Sequence, residues 1–384
     1  MARHELWLCN DYGTRIADLW GHTMLDRVQS FTATRVANDI GTFTANVPAT
    51  FDPTLLRRDM IVQVMRSPDG GAMELFRPYF LRRWIYETKR GKLGLELHGV
   101  CCNDLLRRRV ITSAPGTMVS TKGGVAGIGE TADDIMKAIV SECLIDATGG
   151  YGWPVPLYGT RDWPLFSVEA DAGAGPFIDP IDVSYEYLLQ PNQRGALYQV
   201  IDEARQEGVD LYFDVVPLVL TGNQLSFVFR VRLGQPGQDI TTSGVLFSQD
   251  RGNLTDCSLS YDYTAEENYI YGVKEQGPYD TKVTQRWSVP GVAASIWNRI
   301  EGTVDKTSRS TGNYLRDKRG RLRFTGRITD TPGMRYGVDW SWGDRVRVRY
   351  LQFQFNAVIK AVTLSVDRNG QEQIGTRLEY ETNA

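Results

Sequence analysis

Between Tyr336 and Tyr350 the chain turns through an aromatic, glycine-rich corner and then alternates. Val346, Val348 and Tyr350 fall on one face, Arg345, Arg347 and Arg349 on the other, the period of a strand with one buried side. The apolar row then slips by one residue, because Leu351, Phe353 and Phe355 carry it on odd numbers. A period-2 element does this only through a bulge, bend or turn, and curved strands of that kind build small barrels. Further on, Val362, Leu364 and Val366 alternate into an Asp367-Arg-Asn-Gly370 turn, with Ile374, Leu378 and Tyr380 on the returning arm. The pattern predicts a closed or nearly closed β-module over residues 255–384.

Residues 1–112 read the same way. Phe43, Ala45 and Val47 alternate with Thr42, Thr44 and Asn46 before Pro48. A short apolar strand runs from Met60 to Met65 and closes at Ser67-Pro-Asp-Gly-Gly71, and Leu93, Leu95 and Leu97 follow a Lys89-Arg-Gly-Lys92 turn. Short strands with turn signals at about ten-residue spacing predict a first barrel or sandwich.

The character changes over residues 113–254. A capping box at Thr131-Ala-Asp-Asp134 predicts a helix with Ile135, Ile139 and Cys143 on one face. A second helix is predicted from Ala196 to Glu207, followed by a hairpin whose second arm sets Leu225, Phe227, Phe229, Val231 and Leu233 on one face. Between the helices, prolines and aromatic residues crowd into loops in which Tyr151, Trp153, Tyr158 and Trp163 are candidate protruding contacts. The fold class is therefore mainly β with an α+β middle: two small β-barrel modules flanking an α/β insertion.

Composition narrows the chemistry. The 384 residues exceed one ordinary core, so two or three domains are expected. With 43 basic and 46 acidic residues, the net charge of -3 argues against nucleic acid or anionic membrane as the main partner. No run approaches the length of a membrane span, and Met-Ala-Arg-His-Glu-Leu-Trp does not read as a secretory leader, so synthesis and assembly in a cytoplasm are expected. Five cysteines, Cys101 and Cys102 adjacent, lack metal-ligand spacing and are read as reduced and structural.

A search for catalysis returns little. The sequence holds no nucleophile-elbow, zinc-protease, P-loop or Cys-x-x-Cys motif, and its three histidines, His4, His22 and His98, are not spaced as metal ligands. A dyad of His98 with Cys101 or Cys102 is outweighed by a structural role for all three. Gly123-Gly-Val-Ala-Gly-Ile-Gly129 precedes a helix but lacks the strand and the Lys-Ser/Thr of a phosphate cradle, and reads as a loop. No catalytic, cofactor or metal residue is assigned. The candidate assembly surface comprises Arg345, Arg347 and Arg349 with the basic run Arg316, Lys318, Arg319, Arg321 and Arg323. The plainer reading of that run is a solvated hairpin loop.

Several segments together resemble the tail-tip or baseplate hub proteins of long-tailed bacteriophages, the group related to the N-terminal part of tail-associated proteins. Asn38-Asp-Ile-Gly-Thr-Phe-Thr-Ala-Asn-Val-Pro48 is similar to the family's opening element. Leu55 to Val64, Leu97 to Arg109 and Asn253 to Gly272 resemble its later strand entries, and Trp-Gly-Asp-Arg-Val-Arg-Val resembles a Leu-Gly-Asp-x-Val-x-Val corner, with Trp342 in place of leucine. The resemblance implies a homotrimeric ring whose twin barrels surround a channel and adapt a sixfold tail tube to a threefold tip. It implies a virion location, and as partners the distal tail or tail tube protein, the tape measure protein and a tail fibre or receptor-binding protein. DNA is implied only in transit, with no cofactor and no stable membrane association. The wall-degrading activity of longer relatives has no matching residues here. The alternatives are a glycoside hydrolase, since two carboxylates would suffice, and a carbohydrate-binding adhesin using the aromatic loops.

Overall fold

The computed structural model describes residues 2–15, 29–48, 56–89, 92–108, 211–220, 224–264, 269–277, 280–288, 300–305 and 321–383, with shorter pieces at 130–178 and 266–267. The N-terminal strands are β1 (Arg3–Cys9), β2 (Ser30–Val36), β3 (Thr42–Pro48), β4 (Ile61–Ser67), β5 (Glu74–Lys89) and β6 (Lys92–Cys101), followed by one helical turn, α1 (Asp104–Arg107). The middle contributes β7 (Glu130–Thr131), β8 (Phe166–Val168), β9 (Phe177–Ile178), β10 (Leu211–Val219), β11 (Leu225–Leu233) and β12 (Leu246–Ser248). The C-terminal strands are β13 (Leu254–Asp262), β14 (Tyr269–Gly277), β15 (Asp280–Ser288), β16 (Glu301–Asp305), β17 (Arg321–Ile328), β18 (Arg345–Tyr350), β19 (Phe353–Val366) and β20 (Glu372–Asn383). Among the described residues no helix is long and apolar enough to cross a membrane.

The terminal regions do not hold separate sheets, as the sequence pattern leads one to expect. Twelve strands form one sheet in the order β1-β4-β5-β6-β3-β2-β19-β20-β17-β13, with β18 on β19 and β12 on β18. The junction is β2 against β19, antiparallel, from Phe31↔Val366 to Val36↔Ala361. Its physical basis is matched alternation. Phe31 and Ala33 meet Val366 and Leu364 on the buried side, while Thr32 bonds Ser365 at 3.3 Å and Thr34 bonds Thr363 at 3.2 Å on the other. Two edges so matched pair rather than stay open to solvent.

The slip at Leu351 is a tight turn, not a bulge in a continuing strand. Tyr350 pairs with Phe353, and Leu351 takes a φ of 54° with 65% of its surface exposed. A second slip, which the apolar pattern does carry, is a bulge between Ile359 and Ala361. Ala357 and Ile359 are buried before it, Val362, Leu364 and Val366 after it. Lys360 sits at this bulge, where β19 leaves β18 and takes up β2, and its carbonyl accepts from the Ala37 N–H at 2.8 Å. One core runs through both terminal regions, from Leu6, Phe43 and Leu97 to Phe324, Val346 and Leu364.

A second core lies behind β4 and β5. Ile61, Phe80, Cys102 and Leu106 pack with Phe213, Val215, Phe227 and Phe229 of the β10–β11 hairpin and with Met136, Val140 and Leu144. The first expected helix lies mostly outside the described residues, of which those last three are helical. Their i, i+4 spacing is one position on from Ile135, Ile139 and Cys143, which lie outside the described residues, as does the second expected helix. The expected hairpin face is buried at Leu225, Phe227, Phe229 and Val231, whereas Leu233 is exposed.

Candidate assembly surface

The corner before β18 fixes where its arginines point. Asp344 is buried, and its carboxylate accepts from the Gln238 N–H at 2.8 Å and the Ser341 N–H at 2.6 Å, tying the 236–240 loop to the aromatic turn. Burial still holds this carboxyl above the usual aspartate range, because two neutral donors offset desolvation only in part. Gly343 has a φ of 85°, and a Cβ there would lie 2.8 Å from the Gly237 nitrogen, so both glycines are required for the close approach. Trp340 packs edge-on to Phe247, and the Arg35 guanidinium stacks 3.7 Å over Trp342.

From that anchor β18 alternates as its sequence predicts. Val346 and Val348 are fully buried, Arg345 and Arg347 half-buried, and Arg349 exposed. Arg349 pairs with Asp250 of the same chain at 2.8 Å. Arg345 forms a backbone bridge with Asp239, whose carboxyl is held below its usual range first by hydrogen bonds from Thr241 and last by the Arg345 charge. Arg347 lies across from Leu246 on one side and Asn356 on the other.

The two halves of the expected basic surface are not adjacent. Arg321 and Arg323 lie in β17, opposite Asn383 and Glu381 of β20, and both β19 and β20 separate them from β18, a gap of about 14 Å at ordinary strand spacing. Lys360 and Glu379 form an ion pair of 3.2 Å in that gap, so charge across this part of the sheet is mixed. Arg316, Lys318 and Arg319 lie outside the described residues, as do Tyr151, Trp153, Tyr158 and Trp163.

Two polar clusters give no clear signal in the sequence. Arg77, Asp214 and Asn103 are buried together, and Asn103 also accepts from the Val215 N–H at 2.8 Å, which docks the β10–β11 hairpin on β5. The one hint is Asp214 breaking the run Leu-Tyr-Phe-Asp-Val-Val, since a carboxylate on a buried strand needs a partner. The second joins β1 and β4, at one end of the sheet, to β20, which lies two strands in from the other. Glu372 at the start of β20 receives two bonds of 2.8 Å from Arg66 on β4 and another contact from His4 on β1. Across the other terminal region, the Asn253 side chain accepts from the Ser248 N–H at 2.8 Å and donates to the Leu246 carbonyl at 3.1 Å, linking β12 to the start of β13.

The thiols beside His98 are not poised for nucleophilic work. Cys101 and Cys102 are buried, burial pushes both pKa values up, and the Cys102 Sγ donates to the Val215 carbonyl at 2.8 Å. His98 instead lies 3.5 Å from Glu96. Among the described residues, no cluster of three or more His, Cys, Asp or Glu is placed to hold a metal ion.

No protein-family model matches the sequence, and no curated protein does. Solved structures do match along the whole length. A tail protein from Neisseria meningitidis MC58 aligns over 98% of this chain and 96% of its own, with 15% identity and a TM-score of 0.51. The 43 kDa tail protein of prophage MuSo2 from Shewanella oneidensis aligns over 98% of both chains, with 13% identity and a TM-score of 0.55. Mostly β, with one sheet running through both ends of the chain, this protein shares the fold of phage tail proteins.

Proposed function

We propose that this protein is a structural subunit of a phage virion, the hub of a tail tip or baseplate, and that it works as a homotrimeric ring. In this reading residues 1–112 and 255–384 are two β-barrel modules, and residues 113–254 an α/β insertion between them. The observation that carries it is the β2–β19 junction. It joins the two strand sets edge to edge, and Glu372 of the second set bonds His4 and Arg66 of the first across them. Two such modules per subunit would give three copies six modules around a channel, and so adapt a sixfold tube to a threefold tip. The full-length likeness in fold to tail proteins supports this role.

The task is one of shape. A near-neutral chain suits passing DNA without holding it. Its partners would be the distal tail or tail tube protein, the tape measure protein and a tail fibre or receptor-binding protein, with assembly in the host cytoplasm. Sedimentation or native mass measurement tests the reading. A trimer of the 43.2 kDa chain is expected, and a monomer at all accessible concentrations overturns it.

A further inference from the structure

Among the described residues, Arg347 is the one member of the β18 arginine row with no counter-charge. Arg349 has Asp250 at 2.8 Å, and Arg345 stands beside Asp239. Arg347, between them, faces Leu246 and Asn356 across its two neighbouring strands, and neither is anionic. Its Nε is shielded from solvent yet donates to nothing among the described residues. A half-buried guanidinium flanked by two like charges, with a shielded donor unused, is poorly satisfied in an isolated subunit.

We infer that Arg347 is a subunit-contact residue, receiving a carboxylate from a different surface of a second copy of this chain. The inference rests on the ring reading above, in which each subunit meets the next through two unlike surfaces. Charge complementarity selects the partner group. A carboxylate can take two parallel bonds from the planar fork, one of them from Nε, and would also relieve the repulsion along the Arg345, Arg347, Arg349 row. Arg349, already paired within the chain and open to water, contributes to solubility and not to the contact.

The test is the self-association constant of Arg347→Gln, Arg347→Glu and Arg347→Lys beside the control Arg349→Glu, measured by sedimentation at low and high salt, with circular dichroism to verify the fold. Arg347→Gln is expected to weaken association by tenfold or more, and Arg347→Glu further. Lysine should recover only part of the loss, because it lacks the fork, and Arg349→Glu should stay within about twofold of the parent. Wild-type-like association of a folded Arg347→Gln protein overturns the contact while leaving the ring standing. An equal loss from Arg349→Glu overturns it too, as it would make the effect one of general charge. A parent protein that never self-associates sinks the ring and the contact together.

Discussion

Arg77 holds Asp214 with both terminal nitrogens, Nη1 to Oδ2 at 2.8 Å and Nη2 to Oδ1 at 2.5 Å, where neither side chain meets appreciable solvent. The pair joins β5 to the β10–β11 hairpin, and removing Asp214 leaves the buried Arg77 charge alone. Asp214→Leu is expected to cost about 3–5 kcal/mol. The double variant Arg77→Met/Asp214→Leu should cost clearly less than the sum of the two single changes, because the only cation it leaves without its carboxylate is the partly exposed Arg35, 3.4 Å from Asp214. Urea unfolding midpoints of the three variants check this; strict additivity would mean that the two groups do not act as a pair.

Acid should loosen the contact that β20 makes with β1 and β4. Burial alone would raise the Glu372 pKa, but the Arg66 hydrogen bonds and His4 outweigh it and bring the carboxyl down to about 2 from 4.5. The folded-state value is depressed, so the stabilisation is fully present above the unfolded pKa of about 4.5 and disappears as pH falls towards 2. Thermal melts of the parent and Glu372→Gln should therefore differ most above pH 5 and converge near pH 2. A constant gap across that range would assign the loss to packing.

Gly343→Ala is expected to destabilise by about 1–3 kcal/mol, since it forces a Cβ against the Gly237 nitrogen at a φ of 85°. The damage should be local. Limited proteolysis is expected to open the 234–245 segment first, because its link to the corner runs through Gly237 and Asp344. Unchanged cleavage there would show that the corner tolerates the methyl group.

No release of reducing sugar or soluble fragments is expected when purified protein is mixed with bacterial cell walls. Reproducible turnover abolished by a single Asp or Glu substitution would move the assignment to a glycoside hydrolase.

Alternation made β3, β6, β18, β19 and β20 legible in the sequence, because a strand with one buried face has a period of two, whereas β4, buried along its whole length, was legible as a short apolar run. The turn at Asp367 was equally plain. Its carboxylate accepts from the N–H groups of Asn369 and Gln371, both at 2.8 Å, and Gly370 takes a positive φ. Which strand lies beside which was less visible. Nothing within Phe31–Val36 specifies Ala361–Val366, more than 300 residues away, as its neighbour, since any strand of the same alternation offers similar side chains. The Arg345, Arg347, Arg349 face could be read from periodicity alone. Its counter-charges could not, because Asp250 and Asp239 come from a separate loop and are near only in the folded chain. Arg77 and Asp214 share that difficulty: pairing of buried charges is long-range, and neither strand's pattern names its partner.

The hydroxyl-edged seam between β2 and β19 also has a mechanical consequence. A pull along the strands, driving the two ends of the molecule in opposite directions, loads its rungs in shear and all together, whereas a peeling force would break them singly. Next to it, the Lys360 bulge lets one strand turn from one neighbour to the next with a shift of one residue in its pairing to β20. Such a molecule would resist axial load along this seam far better than it would resist peeling.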